Sequence, residues 1–321
     1  MRMHLENESR MPSYLRRVRN VVTEAWPSVW KTALWLVKIT VLVSLVILFL
    51  RTTGIFGWLS NVLSPVFKVA GLPGEAALAY VTGYFVNVYS AIAVMSTLSL
   101  DVREVTILSV MVLCSHSMVV ETAIQKKTGS SAVRMVVIRT LSAIVLGVVL
   151  HWVMPGRVAS VVTLPVEHPV SFQVLFIQWF WSTLEVVVKM IVLIFLLTLL
   201  QRLLSEFGVI RRIVKIVKPV MLFFGLPAKT AFLWIVANTM GLGYGAAVMI
   251  EERDRGKISK EDADCLNHHI SISHSNLEDV ILLASVGALV WWLLLPRWMM
   301  SFFLAWELRF ERWLKKRGEA H

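Results

Sequence analysis

One pattern in this chain occurs twice. Gly71-Leu72-Pro73 returns 154 residues later as Gly225-Leu226-Pro227. At the same spacing Pro65 matches Pro219, Ala77 matches Ala231, and Ala93-Val94-Met95 matches Ala247-Val248-Met249. After a four-residue insertion in the second copy, Ser115-His116-Ser117 returns as Ser273-His274-Ser275. An acid follows each: Glu121 in the first copy, Glu278 and Asp279 in the second. Each unit opens with a long apolar helix and closes with a tryptophan-containing one before Pro155 or Pro296. Ordered matches of this kind indicate an internal duplication.

Composition says where the duplicated chain resides. Of 321 residues, 57% are hydrophobic and only 17% charged, with a mean hydropathy of +0.69. A water-soluble surface needs more charge than that. The expected class is an all-α integral membrane protein, which excludes a disordered chain, a disulfide scaffold and a cytosolic enzyme. The two cysteines, Cys114 and Cys265, cannot form a framework. The formal net charge is +11, but the basic residues sit at the ends of apolar segments. That placement fits the positive-inside rule rather than nucleic-acid binding, and makes the lipid bilayer the first partner. Nothing in this composition opposes a homo-oligomer.

Four strongly apolar stretches, 30–50, 130–154, 180–203 and 280–306, are long enough for a hydrocarbon core of about 30 Å. Weaker segments with glycines, polar residues and histidines lie at 71–98, 101–124, 225–250 and 261–279. The resulting division is a basic amphipathic segment over 1–29, a first unit over 30–164, a second over 165–306, and a basic tail over 307–321. Residues 1–29 lack a small-residue cleavage site, so a cleaved signal peptide is not expected. They read as a helix on an anionic leaflet or as a solvated basic tail. No Gly-x-x-x-x-Gly-Lys-Ser/Thr sequence marks a nucleotide-driven motor.

Charge suggests the orientation. With the N-terminal arginines inside, Lys126-Lys127, the 211–218 cluster and the 309–317 cluster should also be inside, and 155–172 outside. A simple count of spans places Lys126 on the wrong side. The conflict disappears if 71–98 and 225–250 each enter and leave on one side as broken hairpins. Each unit then crosses three times, and an odd count makes the two units inverted. Asn87, Tyr89 and Ser90 interrupt the first hairpin; Asn238 and Gly241-Leu242-Gly243-Tyr244-Gly245 interrupt the second. Gly241 and Gly245 read equally well as a close helix-packing pair.

The most polar element is Asn267-His268-His269-Ile270-Ser271-Ile272-Ser273-His274-Ser275-Asn276-Leu277-Glu278-Asp279. On a continuous helix, His274 and Glu278 would share a face. Imidazole and carboxylate near lipid are costly, and usually face a cavity or one another. The candidate solute site is Asn87, Tyr89, Ser115, His116, Ser117, Glu121, Asn238, Tyr244, Ser273, His274, Ser275, Glu278 and Asp279. The candidate metal set is His116, His268, His269, His274, Glu278 and Asp279, which suits a divalent ion such as Fe²⁺, Mn²⁺ or Zn²⁺. The same groups also read as a polar lock between the two copies, or as a proton relay. Ser, His and acid occur together, but no nucleophile elbow is present, so a hydrolase is the weaker reading. Glu185 and Lys189 can neutralise each other within their helix.

The duplicated Gly-Leu-Pro hairpin with a polar break, followed by Ser-His-Ser, resembles the nucleoside-recognition or Gate domain. Concentrative nucleoside transporters, the bacterial ferrous-iron transporter and spore maturation proteins A and B carry that domain. The resemblance covers roughly 30–306. It implies a multi-pass bacterial inner-membrane protein with inverted repeats and a path for a small polar solute or divalent cation between them; the charge distribution puts both termini in the cytoplasm. It does not imply nucleosides as the cargo, since members differ in cargo. The chain lacks the iron transporter's GTPase domain. A non-transporting scaffold working with a partner is the alternative.

Overall fold

The computed structural model describes residues 13–52, 55–156 and 172–318, and the regular structure among them is entirely helical. The first series is α1 (Ser13–Thr52), α2 (Ile55–Val69), α3 (Ala76–Phe85), α4 (Val88–Met95), α5 (Val102–Ser115), α6 (Met118–Thr128) and α7 (Ala132–Val153). The second is α8 (Phe172–Glu206), α9 (Val209–Phe223), α10 (Ala231–Met240), α11 (Leu242–Asp254), α12 (Lys260–Ser273), α13 (Glu278–Ala284) and α14 (Val290–Gly318). The series correspond element by element. Helices α2 and α9 are both 15 residues long and carry Pro65 and Pro219 at the same position; α5 and α12 are both 14 residues long.

Each polar interruption breaks its segment into a hairpin. Helices α3 and α4 have 10 and 8 residues, about 15 and 12 Å, too short to cross a hydrocarbon core alone. Between them Asn87 is extended, and its side chain accepts a hydrogen bond from the Ser90 amide at 2.8 Å, capping α4. The second hairpin turns at Gly241, whose φ of +84° and ψ of 168° suit glycine alone. The legs pack without a gap. A Cβ placed on Gly83 would lie 3.0 Å from the Ala91 methyl, and one on Gly245 would lie 2.9 Å from that of Ala237.

Helices α5 and α12 form the centre. Every residue from Val105 to His116 is buried, as is every residue from Cys265 to Ser275. Each starts with a capping box, Asp101 with Glu104 and Ser259 with Asp262, which satisfies orphan amides at the helix N-terminus. Around them α7 turns Val133, Val137, Leu141, Val149 and Trp152 outward. Among the described residues, three helical stretches are apolar and long enough to cross a membrane: Val102–Thr128, Ala132–Val153 and Phe176–Glu206.

The two Gly-Leu-Pro turns lie at opposite ends of α7. At its C-terminal end the His151 ring occupies the space beside Gly71; a Cβ there would lie 1.9 Å from Nδ1. At its N-terminal end Arg134 pairs with Glu307 at 3.0 Å and Glu311 at 2.5 Å, both on α14. On that same stretch of α14, Trp306 and Arg309 stand beside Gly225. Helix α7 has 22 residues, about 33 Å.

Several expectations change here. The apolar stretch 280–306 is not one helix: α13 ends at Ala284 and α14 begins at Val290. The intervening turn includes Gly287 at φ +104°, and the Leu289 amide donates to Thr106 Oγ1 at 3.0 Å. Likewise 101–124 is broken at His116-Ser117. The basic segment, from Ser13 onward, continues into the first apolar helix without a break, and the basic tail extends α14 to Gly318. Most of the 155–172 loop lies outside the described residues.

Candidate functional site

Helix α5 ends at His116 and α12 at His274, and the chain does the same thing after each. Both histidines are extended, with ψ of 159° and 173°. The following serines are left-handed, Ser117 at φ 48° and Ser275 at φ 53°. The amide of Ser117 donates to the Gly83 carbonyl at 2.9 Å, and that of Ser275 to the Ala237 carbonyl at 3.1 Å. Each loop is therefore tied to the first leg of its own hairpin. The expected His274–Glu278 helix face does not form, because the helix stops before His274.

A buried arginine closes each helix end. Arg139 of α7 donates from Nε to the Cys114 carbonyl at 3.0 Å and from Nη2 to the His116 carbonyl at 2.7 Å. Arg297 of α14 donates from Nε to the Ile272 carbonyl at 2.7 Å and from Nη2 to the His274 carbonyl at 2.7 Å. Both guanidiniums are fully buried. The physical reason is the helix terminus: its last carbonyls have no partner, and it carries partial negative charge. A planar fork of donors fits two such carbonyls at once. Arg139 also pairs with Glu121 Oε2 at 2.7 Å.

These anchors bring the two imidazoles together at the centre. Nε2 of His116 and Nε2 of His274 are 3.3 Å apart. Glu121 Oε1 is 3.1 Å from the first and 3.2 Å from the second. Asp279 Oδ2 lies 3.5 Å from His116 Nε2. Their outer nitrogens face helix carbonyls: Nδ1 of His116 lies 3.2 Å from Leu113 O, and Nδ1 of His274 lies 2.7 Å from Ile270 O. A carbonyl only accepts, so Nδ1 carries the hydrogen in both rings. Both Nε2 atoms then turn lone pairs toward each other and toward a carboxylate. Such an arrangement is repulsive unless a proton or a metal ion sits among them. His274 is fully buried, and none of the four residues is more than 9% exposed.

The remaining candidates are divided. Glu278 receives the Tyr89 hydroxyl at 2.5 Å. Asn238 donates to Trp234 O and accepts from Asn276 Nδ2 at 2.6 Å, and Asn276 in turn accepts from Arg297. Ser115 and Ser273 return their hydroxyls to the helix carbonyls of Met111 and His269, and Ser117 to Val86 O. Asn87 serves as a cap. His268 lies against Asp264 at 2.7 Å from its carbonyl, and His269 accepts from Trp234 Nε1 at 3.3 Å. Neither belongs to the group of His116, His274 and Glu121, whose candidate ligand atoms lie within 4.8 Å of one another. The side chain of Tyr244 lies outside the described residues. Lys229, beside the second Gly-Leu-Pro turn, reaches Asp262 at 2.5 Å; Glu75, its counterpart, makes no capping bond. A cavity of about 630 Å³ opens at Gly225, Cys265, Trp306 and Arg309, away from the histidines.

The arginines are what sequence reasoning missed. Their signal was present: a charge in the middle of an apolar stretch, recurring at the 158-residue spacing of the histidines. A mid-membrane arginine demands a partner.

Comparison with known proteins agrees with the motif reading. The chain is 28% identical over 272 residues to an uncharacterized membrane protein of Bacillus subtilis (strain 168), YvoD, covering 84% of this chain and 87% of that one. No solved structure matches. The family match covers the first unit, so for the second the resemblance rests on the internal repeat. Residues 33–151 match the Gate family of nucleoside-recognition domains, the family whose motifs this chain shares.

Proposed function

We propose that this protein carries a small polar solute or a cation across a bacterial inner membrane, through a site between two inverted units. The observation that carries the reading is the meeting of the two Ser-His-Ser loops, His116 and His274 at 3.3 Å. Each is delivered by an equivalent helix and held by an equivalent arginine. The opposite placement of the Gly71 and Gly225 turns along α7 supports inversion. Transporters of this design bind cargo at the repeat interface, between broken helices. The burial of the cluster makes this an occluded state.

Orientation follows from the basic residues. Arg253 donates to the Lys127 carbonyl, and Arg312 to that of Glu261. The Lys126-Lys127 turn, the 253–257 turn and the end of α14 thus gather at one end, which we place in the cytoplasm with both termini. We favour transport over hydrolysis. Ser273 Oγ lies 2.9 Å from His269 Nδ1, but the other nitrogen of that ring has no partner among the described residues. A serine-histidine pair without an orienting acid is an incomplete triad.

Purified protein in liposomes, screened for uptake of divalent metals, nucleosides and other small polar solutes, tests the reading. Saturable flux that is lost in H274A is expected. Absence of flux for every solute, with folded protein correctly inserted, would point to the scaffold alternative.

A further inference from the structure

We infer that the cargo site is a metal centre for a first-row divalent transition ion, bound by Nε2 of His116, Nε2 of His274 and Oε1 of Glu121, with the Asp279 carboxylate beside His116. The inference rests on the transport reading for its role, but on separate observations for its chemistry.

The first observation is spacing. In a tetrahedral site with metal–ligand bonds of 2.0–2.2 Å, neighbouring ligand atoms are about 3.3–3.6 Å apart. The three contacts among His116, His274 and Glu121 are 3.1, 3.2 and 3.3 Å, and the His116–Asp279 contact is 3.5 Å. A small ion fits among the first three atoms with shifts of a few tenths of an ångström, and Asp279 lies next to one of them.

The second is the tautomer. Metal-bound histidines characteristically donate the far ring hydrogen to a carbonyl or carboxylate, which fixes the ring and aims the other lone pair. Both Nδ1 atoms do this here, to Leu113 O and Ile270 O. The carbonyls belong to α5 and α12, so each ring is held by its own helix and aimed at the partner unit.

The third is charge. With neutral imidazoles, the carboxylates of Glu121, Asp279 and Glu278 outnumber the guanidiniums of Arg139 and Arg297 by one. All five lie in or beside one buried cluster. With every carboxylate ionised, one metal ion or one proton would supply the missing positive charge. Two imidazoles with one or two carboxylates suit Zn²⁺, Fe²⁺, Co²⁺ or Mn²⁺ better than Mg²⁺ or Ca²⁺, which prefer all-oxygen shells.

Cobalt reports this geometry by its visible absorption. The metal-stripped full-length protein, in detergent or nanodiscs, is titrated with Co²⁺. Expected are ligand-field bands of low-symmetry Co²⁺, saturating at about one ion per chain, displaced by Zn²⁺ and unaffected by excess Mg²⁺. H116Q and H274Q should abolish the bands, and E121Q should weaken binding by about tenfold or more. Should these variants fail to fold, H116C supplies a second test, since a thiolate ligand adds a charge-transfer band to the Co²⁺ spectrum. H268Q should leave the spectrum unchanged. Absence of bands in folded protein, or bands that survive in folded H116Q and H274Q, overturns the inference. Flux of an organic solute without a cobalt spectrum sinks the metal site and keeps the transport reading. A cobalt spectrum without flux of any metal does the reverse.

Discussion

Asp279 reaches the His116 ring at 3.5 Å, and in the same way Glu121 reaches His274 at 3.2 Å. Both pairs cross from one unit to the other, and Glu121 and Asp279 are separated by the same 158 residues as the two histidines. Glu121 also lies 3.1 Å from His116 of its own unit, so it bridges the two rings. Neither half of the chain holds a complete set of these groups.

The first prediction concerns the arginines. Replacing Arg139 by Ala leaves the carbonyls of Cys114 and His116 unpaired and Glu121 without its cation. Breaking such a buried arrangement costs about 3–5 kcal/mol. R139A and R297A should both give protein that is aggregated or melts far lower, read by size-exclusion profile and thermal unfolding. R139K should recover little, because an ammonium cannot serve two carbonyls as a planar fork does. Near-native melting of R139A would show that the helix end needs no cap.

A second concerns Ser275. Its φ of 53° is left-handed, which costs a non-glycine residue about 1–2 kcal/mol. S275G should therefore raise thermal stability or leave it unchanged, whereas S275V should lower it. An equal loss in both variants would mean that the hydroxyl, not the backbone, decides this position.

The glycines of the two Gly-Leu-Pro turns should respond differently. Both have positive φ, +67° at Gly71 and +71° at Gly225. At Gly71 an added methyl meets the His151 ring at 1.9 Å, but at Gly225 its nearest neighbour is Trp306 at 3.3 Å. G71A should be clearly more destabilising than G225A, and H151A should relieve part of the difference. Equal melting temperatures for the two alanine variants would contradict this account.

The next prediction addresses the hairpin legs. G245A places a second methyl against Ala237 and should destabilise; A237G combined with G245A restores a single methyl at the contact. Coupled neighbours of this kind show interaction energies of about 0.5–3 kcal/mol in a double-mutant cycle. Simple additivity of the two changes would mean that the legs are not in contact.

Much of this arrangement was legible because it is written twice. The Gly-Leu-Pro and Ser-His-Ser matches located the hairpins and singled out His116 and His274. What the residues hid was the path of the chain between them. The run from Asn267 to Asp279 reads as one helix, since nothing in Ser-His-Ser announces a left-handed serine; only the tie from Ser275 to the Ala237 carbonyl produces it. For the same reason His268 and His269 looked like companions of His274, although the helix turns them toward Asp264 and Trp234. Arg139 hid inside an apolar helix, where two of its three partners are backbone carbonyls, which have no letter in the sequence.

The contact between hairpin legs has a consequence for how such duplications are recognised. In the first unit the slim position is Gly83 and the methyl is on Ala91; in the second the methyl is on Ala237 and the slim position is Gly245. Residue-by-residue alignment of the halves records two mismatches there. Counted as volume, the two sites are identical, one methyl in a space that admits one. The halves have kept the room between their legs and exchanged which leg supplies it. A search that scores paired positions would see kinship where one that scores single letters sees divergence.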